Sequence, residues 1–315
     1  MSIATNKKTT PDLLRLQSAE EINILKVLAY FDIFQYPLTK NEISKYLGKP
    51  FPEPGLEELL QQMLARQTIF QHTDFYSLHN NSLLAPRRKE GNLRAKMLLP
   101  KAFKIGRFLF HFPYVRAVYI SGSLSKNFAD EKADIDFFII TKANRLWLAR
   151  TIMHLFKKLT FLTGHQHYFC MNYYIDEEAL LIENQNIFTA VEVLTLLPVC
   201  GKQTIDSFFS VNDWSYWFFP GYNRADLPGG NSQNSLIKRL SEWIFNNRMG
   251  NYLDQWLLKI TTKRWQKKSR KGKRNKNGHT MKLITGKHFA RSNPGAFQEK
   301  VLAMYEKKLI ELKLI

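Results

Sequence analysis

The stretch VRAVYISGSLSKNFADEKADID, Val115–Asp136, decides how this chain is read. Val115–Ser121 is a buried β-strand by composition. Gly122-Ser123 follows at once, and ten residues later Asp134-Ile135-Asp136 opens a second apolar run, FFIIT. Residues two apart on a strand point to the same face, so this spacing sets two carboxylates side by side. Such a pair repels unless a cation lies between them. Hard oxygen ligands suit Mg²⁺, which shares its shell with substrate phosphates. Gly122 lets backbone approach a phosphate closely, and Ser123 offers a hydroxyl and an N–H. Strand, Gly-Ser turn and Asp-apolar-Asp pair together make a layout for a metal-bound triphosphate.

Upstream, Ala19–Phe34 places Ile22, Leu25, Val27, Leu28 and Phe31 at helical spacing, and Tyr36-Pro37 ends that helix. Thr39 and Glu42 form a capping box for a second helix, Asn41–Leu47. A third helix is expected over Gly55–Arg66, and Ile69–His72 with Phe75–Leu78 reads as a hairpin around Thr73-Asp74. Three helices and a β-wing make residues 1–82 a winged-helix-like domain. Its third helix begins with Glu53, Glu57 and Glu58 and ends with only Arg66. Phosphate contacts need Lys and Arg, so a structural or protein-contact role fits it better than DNA reading. Ala85–Phe112 reads as a basic amphipathic helix broken at Pro100, with Leu93, Met97, Leu98, Ala102, Ile105 and Phe108 on its apolar stripe.

The 315 residues carry 46 Lys+Arg against 27 Asp+Glu, a formal charge of +19 that suggests a polyanionic partner. No acid lies between Asp254 and Glu299, a window holding 13 basic residues; without them, 33 Lys+Arg face 27 Asp+Glu, about +6. Within this window KRWQKKSRKGKRNKNGH reads as an exposed basic loop, 259–287, and Lys263–Lys276 is the stretch offered to nucleic acid. No apolar run is long enough to span a membrane, and MSIATNKKTTPD is not a secretory signal. Cys170 and Cys200 read as reduced, buried thiols, which places the chain in the cytoplasm. P-loop and dinucleotide motifs are absent.

GSLSKNFADEKADID resembles the signature of the DNA polymerase beta-like nucleotidyltransferase superfamily. The resemblance extends, through YFDIFQYPLTKNEI, FPYVRAVYISGSLS, RLWLAR, FCMNYY, NIFTAVEVLTLLPVCG and VNDWSYWFFPGYN, to uncharacterised prokaryotic proteins that join a winged-helix-like domain to such a core. It covers most of residues 25–223. It implies an α+β fold: a winged-helix-like N-terminal domain, a mixed-sheet nucleotidyltransferase domain over 83–205, and a helical C-terminal region over 206–315. It implies Mg²⁺ held by Asp134 and Asp136 in two-metal chemistry, moving a nucleoside monophosphate from a nucleoside triphosphate onto an acceptor hydroxyl.

Gly122, Ser123, Lys126 and Arg150 are the expected nucleotide-binding residues, with Lys132 and Arg145 as further candidates for neutralising phosphate charge. The superfamily usually adds a third carboxylate on a later strand. Here that strand is YFCMNYYI, Tyr168–Ile175, whose internal polar residue is Asn172; Asp176 at its end is the other candidate for the third position. Asn172 keeps open an alternative, a catalytically degenerate module that senses nucleotide or binds nucleic acid. A purely structural scaffold is the third reading. His165 and His167 read as turn histidines, Glu192 as a residue orienting a neighbour, and the aromatics from Phe208 to Tyr222 as core between domains.

Overall fold

The computed structural model describes residues 18–47, 53–131, 133–163, 166–223, 236–272, 274, 278, 280, 282–292 and 294–315. The chain begins with α1 (Ala19–Asp32), β1 (Leu38–Thr39), α2 (Lys40–Tyr46), α3 (Glu53–Ala65), β2 (Phe70–His72) and β3 (Phe75–Ser77). The Thr39/Glu42 capping box forms: the Glu42 amide donates to Thr39 Oγ1 at 3.2 Å, and Glu42 Oε2 accepts from the Thr39 amide at 2.9 Å. β1, β3 and β2 pair antiparallel in that order.

α4 (Leu84–Phe110) then leads into β4 (Val115–Ser121), a single-turn α5 (Gly122–Ser125), β5 (Asp136–Thr141), α6 (Leu146–Leu159) and β6 (Cys170–Asp176). α7 (Ile187–Thr195), β7 (Leu197–Cys200) and α8 (Lys202–Val211) follow; α9 (Leu236–Ile244), α10 (Arg248–Arg270), β8 (Leu283–Thr285), β9 (Phe289–Ser292) and α11 (Phe297–Glu311) complete the chain. The fold is mixed α+β. Its large sheet has the order β7-β4-β5-β6-β9-β8; β5 and β6 run parallel and the other neighbours antiparallel.

Alternation along the strands divides the core. Val118, Ile120, Phe137, Ile139 and Tyr174 face one side with residues of α4 and α6; Tyr119, Phe138, Ile140 and Ile175 face the other with residues of α7, α8 and α1–α3.

Three expectations are corrected. α4 is continuous through Pro100; of the expected stripe Ala102 is buried, Leu98 and Ile105 are half-buried, and Leu93, Met97 and Phe108 are exposed, while Gly91, Ala95 and Gly106 let the helix approach its neighbours. A Cβ on Gly91 would come within 2.2 Å of the Phe128 ring, and one on Gly106 within 2.9 Å of Val199, so the helix lies too close to its neighbours for large side chains at those positions. The C-terminal region is not helical throughout, because β8 and β9 extend the central sheet beyond β6. The basic segment 259–287 is not one loop: α10 carries it in helical form to Arg270, and its far end is β8; Lys273 and Lys276 lie outside the described residues.

Candidate active site

β4 and β5 are antiparallel neighbours with Ser121 opposite Asp136, so the turn that ends the first strand lies against the carboxylate that begins the second. Gly122 sits at φ +69°, and a Cβ there would approach Asp136 Oδ2 to 2.6 Å. The turn therefore requires glycine twice over, for its left-handed backbone and for the carboxylate pressed against it. Ser125 Oγ and Lys126 Nζ donate to the Gly122 carbonyl at 2.8 and 3.1 Å, and the Tyr36 hydroxyl donates to the Lys126 carbonyl at 2.6 Å, bracing the loop against α1's C-terminal connection. Ser123 is exposed beside it.

Asp134 lies just before β5, yet strand-like alternation already holds: Ile135 is fully buried, and its amide donates to the His167 carbonyl at 3.1 Å. Asp134 and Asp136 both line a cavity of about 720 Å³, together with Gly122, Ser123 and Asn172. Asp134 Oδ1 lies 2.7 Å from His167 Nδ1. Asp136 is held from the next strand: Asn172 Nδ2 donates to Asp136 Oδ1, while Asn172 Oδ1 accepts from the Cys170 thiol at 3.0 Å. Burial, with the negative charges of Asp134 and Glu192 nearby, pushes the Asp136 carboxyl up to about 7. Burial also pushes the Cys170 thiol up, so it stays protonated at neutral pH.

Other expected residues are placed elsewhere. Arg150 is buried on the far face of the sheet, its guanidinium 5.5 Å from the Trp147 ring centroid and 5.9 Å from that of Tyr174. It is core, not a phosphate ligand. Arg145 is also buried; it donates to the Phe245 and Asn247 carbonyls at 2.9 and 3.1 Å and so ties α6 to the α9–α10 connection. Asp176 pairs with Thr141 at the opposite end of β5, five residues along the strand from Asp136. There it is fully buried and accepts from the Asn144 amide at 2.9 Å, with His288 Nδ1 3.0 Å away. It cannot complete a site at Asp136. Lys126 reaches the site but is neutralised by Glu192 Oε1 at 2.8 Å, which gives Glu192 the orienting role expected of it. Lys132 and His165 lie outside the described residues.

The far wall of the cavity was not expected. Trp265 of α10, Lys282, Arg291 of β9, and Phe297 and Gln298 of α11 all line it. Arg291 Nη1 donates to Gln298 Oε1 at 3.3 Å. Nothing local in the sequence marks these residues, because β9 reaches the site by pairing with β6 from more than a hundred positions away.

Among the described residues no three His, Cys, Asp or Glu side chains form a metal cage. The donor set fits a hard divalent cation nonetheless. Mg²⁺ is commonly bound through one or two carboxylates with substrate oxygens filling its shell, and a carboxyl driven toward neutrality beside a second carboxylate is the electrostatic problem that such a cation relieves. Comparison with protein-family models, with curated proteins and with solved structures returned no match.

Proposed function

We propose that this protein binds a nucleoside triphosphate with Mg²⁺ at the Gly122-Ser123 turn and transfers its nucleoside monophosphate to an acceptor hydroxyl. The observation that carries this reading is the contact between the turn and Asp136: a glycine whose missing Cβ makes room for that carboxylate, with Asp134 and a cavity large enough for a nucleotide in front. The likeness of Gly122–Asp136 to the DNA polymerase beta-like signature supports it, as does the helix–helix–helix–hairpin order of α1 to β3, which suits the winged-helix-like domain of that resemblance.

Asp134 and Asp136 would hold the cation, whose charge keeps both carboxylates ionised and draws electron density from the phosphate oxygens. The Gly122-Ser123 backbone would cradle the phosphates, and Lys282 and Arg291 across the cavity supply further positive charge. The acceptor oxygen bonds to the α-phosphorus as the bond from that phosphorus to the bridging oxygen breaks. Pyrophosphate leaves with the electron pair, and the hydroxyl proton passes to water. Catalysis of this kind rests on positioning and charge stabilisation.

One observation favours the second reading. Asn172 stands where a third carboxylate would complete the site, and its amide donates to Asp136 instead of serving as a base. A module with this side chain can bind nucleotide while transferring slowly. Calorimetry with the four nucleoside triphosphates, with and without Mg²⁺, tests both. Wild type should bind only with Mg²⁺, and Asp134→Asn/Asp136→Asn should not bind. Pyrophosphate release on adding acceptors then separates transferase from sensor. Binding that ignores Mg²⁺ or survives the double substitution overturns the site.

A further inference from the structure

α10 joins the cavity to the acid-free, basic segment of the sequence that follows Asp254. Its 23 residues make a rod about 35 Å long. The one acid it carries, Asp254, is buried and accepts from the Leu148 amide at 2.8 Å, capping α6. Tyr252, Trp256, Lys259, Lys263, Lys267 and Arg270 follow one another at steps of three or four residues, so they stand in a single row along the helix. All six are exposed, Tyr252 by 73% and Trp256 by 50%. Carboxylates are absent from this row, and flat aromatic faces lead into a run of cations. From the other side of the same helix, half-buried Trp265 enters the cavity wall beside Lys282.

We infer that α10 is the bed of a single-stranded polynucleotide whose end enters the cavity, so that the acceptor in the transfer proposed above is a nucleic-acid hydroxyl. The inference rests on that reading for the chemistry but not for the binding. Lys and Arg in a row match the phosphates of a strand, and exposed aromatics offer every base a stacking face without selecting among them. A lipid surface would also use aromatic and basic side chains, but it gives no purpose to an indole and an ammonium in the wall of a cavity lined by Asp134 and Asp136. In the reaction, the terminal hydroxyl oxygen of the strand forms the new phosphodiester bond to the α-phosphorus and pyrophosphate departs, extending the strand by one nucleotide.

The test is fluorescence anisotropy of a labelled 12-nucleotide RNA, and of DNA of the same sequence, with the full chain between 50 and 200 mM NaCl. The plot of log affinity against log salt should fall with a slope of about −0.7 per phosphate contacted. Lys259→Gln/Lys263→Gln/Lys267→Gln/Arg270→Gln should weaken binding by about tenfold or more and flatten that slope. Tyr252→Ala/Trp256→Ala should weaken oligonucleotide binding about tenfold while heparin, which has no bases, binds as before. A photoreactive terminal nucleotide should cross-link to the segment holding Trp265 and Lys282, and one at mid-strand should not. RNA or DNA preference identifies the strand.

The inference falls if the glutamine variant binds with unchanged affinity and slope, if the aromatic variant loses heparin equally, or if the cross-link ignores position. It falls equally if the chain binds phosphatidylglycerol vesicles and no oligonucleotide. Since these side chains are exposed outside the cavity, the glutamine variant should keep Mg²⁺-dependent nucleotide binding. Strand binding lost with nucleotide binding kept in that variant is the expected pattern. Nucleotide binding absent from wild type with strand binding present would overturn the transfer reading alone.

Discussion

At the scale of single residues, the site depends on what Gly122 lacks. Gly122→Ala would place a methyl group 2.6 Å from Asp136 Oδ2 and force a side chain into a left-handed conformation. The backbone strain alone costs about 1–3 kcal/mol. Urea unfolding should show that loss, and calorimetry a fall in Mg²⁺–nucleotide affinity of about tenfold or more, since each 1.4 kcal/mol of misplacement is a factor of ten. Asn172 gives the complementary prediction. Asn172→Asp replaces the amide donor at Asp136 with a third carboxylate, beside Asp134 and Asp136, in a site where Asp136 is already pushed toward neutrality. Without Mg²⁺ the variant should melt below wild type, and with Mg²⁺ its Tm should rise further than that of wild type. A Tm indifferent to Mg²⁺ would show that no cation is held there. Gly122, Ser123, Asp134 and Asp136 share one cavity, as their spacing suggests, because a single short segment carries the turn after β4 and the approach to β5. Arg150 and Asp176 were misread because a strand position says nothing about which face or which end of the sheet the following residues reach. Arg150 follows β5 onto α6, behind the sheet, and Asp176 closes the wrong end of β6.

At the scale of elements, capping, the short hairpin and the buried positions of α1 were open to reading, whereas the order of the large sheet and the inward face of α4 were not. The Thr39/Glu42 box and the hairpin around Thr73-Asp74 are set by neighbours in sequence. The inward face of α4 follows instead from how near its neighbours lie, and that closeness selects Gly91, Ala95 and Gly106 over Leu93, Met97 and Phe108, to which periodicity points. Likewise the last turns of α10, from Arg264 to Arg270, carry so much charge that they read as loop, although helical spacing runs up to Lys263. Asp254 is the hinge of the contact between α10 and α6. Burial pushes its carboxyl up to about 6, against the opposing pull of the Leu148 and Trp147 amides. With the folded-state value above that of an unfolded aspartate, the protonated form is the one folding favours. The stabilising contribution is therefore complete below about pH 4 and is lost as pH rises to about 6. Asp254→Asn keeps an acceptor for the Leu148 amide without the charge. Urea titrations from pH 4 to 7 should show wild type losing about 1–3 kcal/mol relative to Asp254→Asn across that interval, with no further divergence above it. Parallel curves would place the ionisation elsewhere.

At the scale of the whole molecule, a boundary at residue 82 divides the sequence but not the core. One buried cluster runs from Ile24, Leu28 and Tyr46 through Phe128 to Tyr119 and Phe138 on the central sheet, and on to Phe208 and Val301. Tyr46 meets Phe219 at 5.4 Å between ring centroids, Tyr30 meets Tyr305 at 5.8 Å, and Lys308 of α11 pairs with Asp32 at the end of α1. Arg88 is buried between the halves, 3.7 Å above the Tyr36 ring and bonded to Glu42. Removing residues 1–82 would bare Tyr305 of α11 together with Phe128, Phe219 and Tyr222, and leave the Arg88 guanidinium without its carboxylate, a loss that buried ions tolerate poorly. Tyr36, whose hydroxyl braces the loop of Gly122, would go as well. A chain of residues 83–315 should therefore aggregate or melt without cooperativity, as followed by size-exclusion chromatography and near-ultraviolet circular dichroism. Adding back residues 1–82 in trans should recover Mg²⁺-dependent nucleotide binding if the segment folds onto the exposed surface. A shortened chain that unfolds cooperatively at the wild-type Tm and still binds nucleotide would show the shared cluster to be an interface between two self-sufficient bodies, and would free α1 to β3 for a partner of their own.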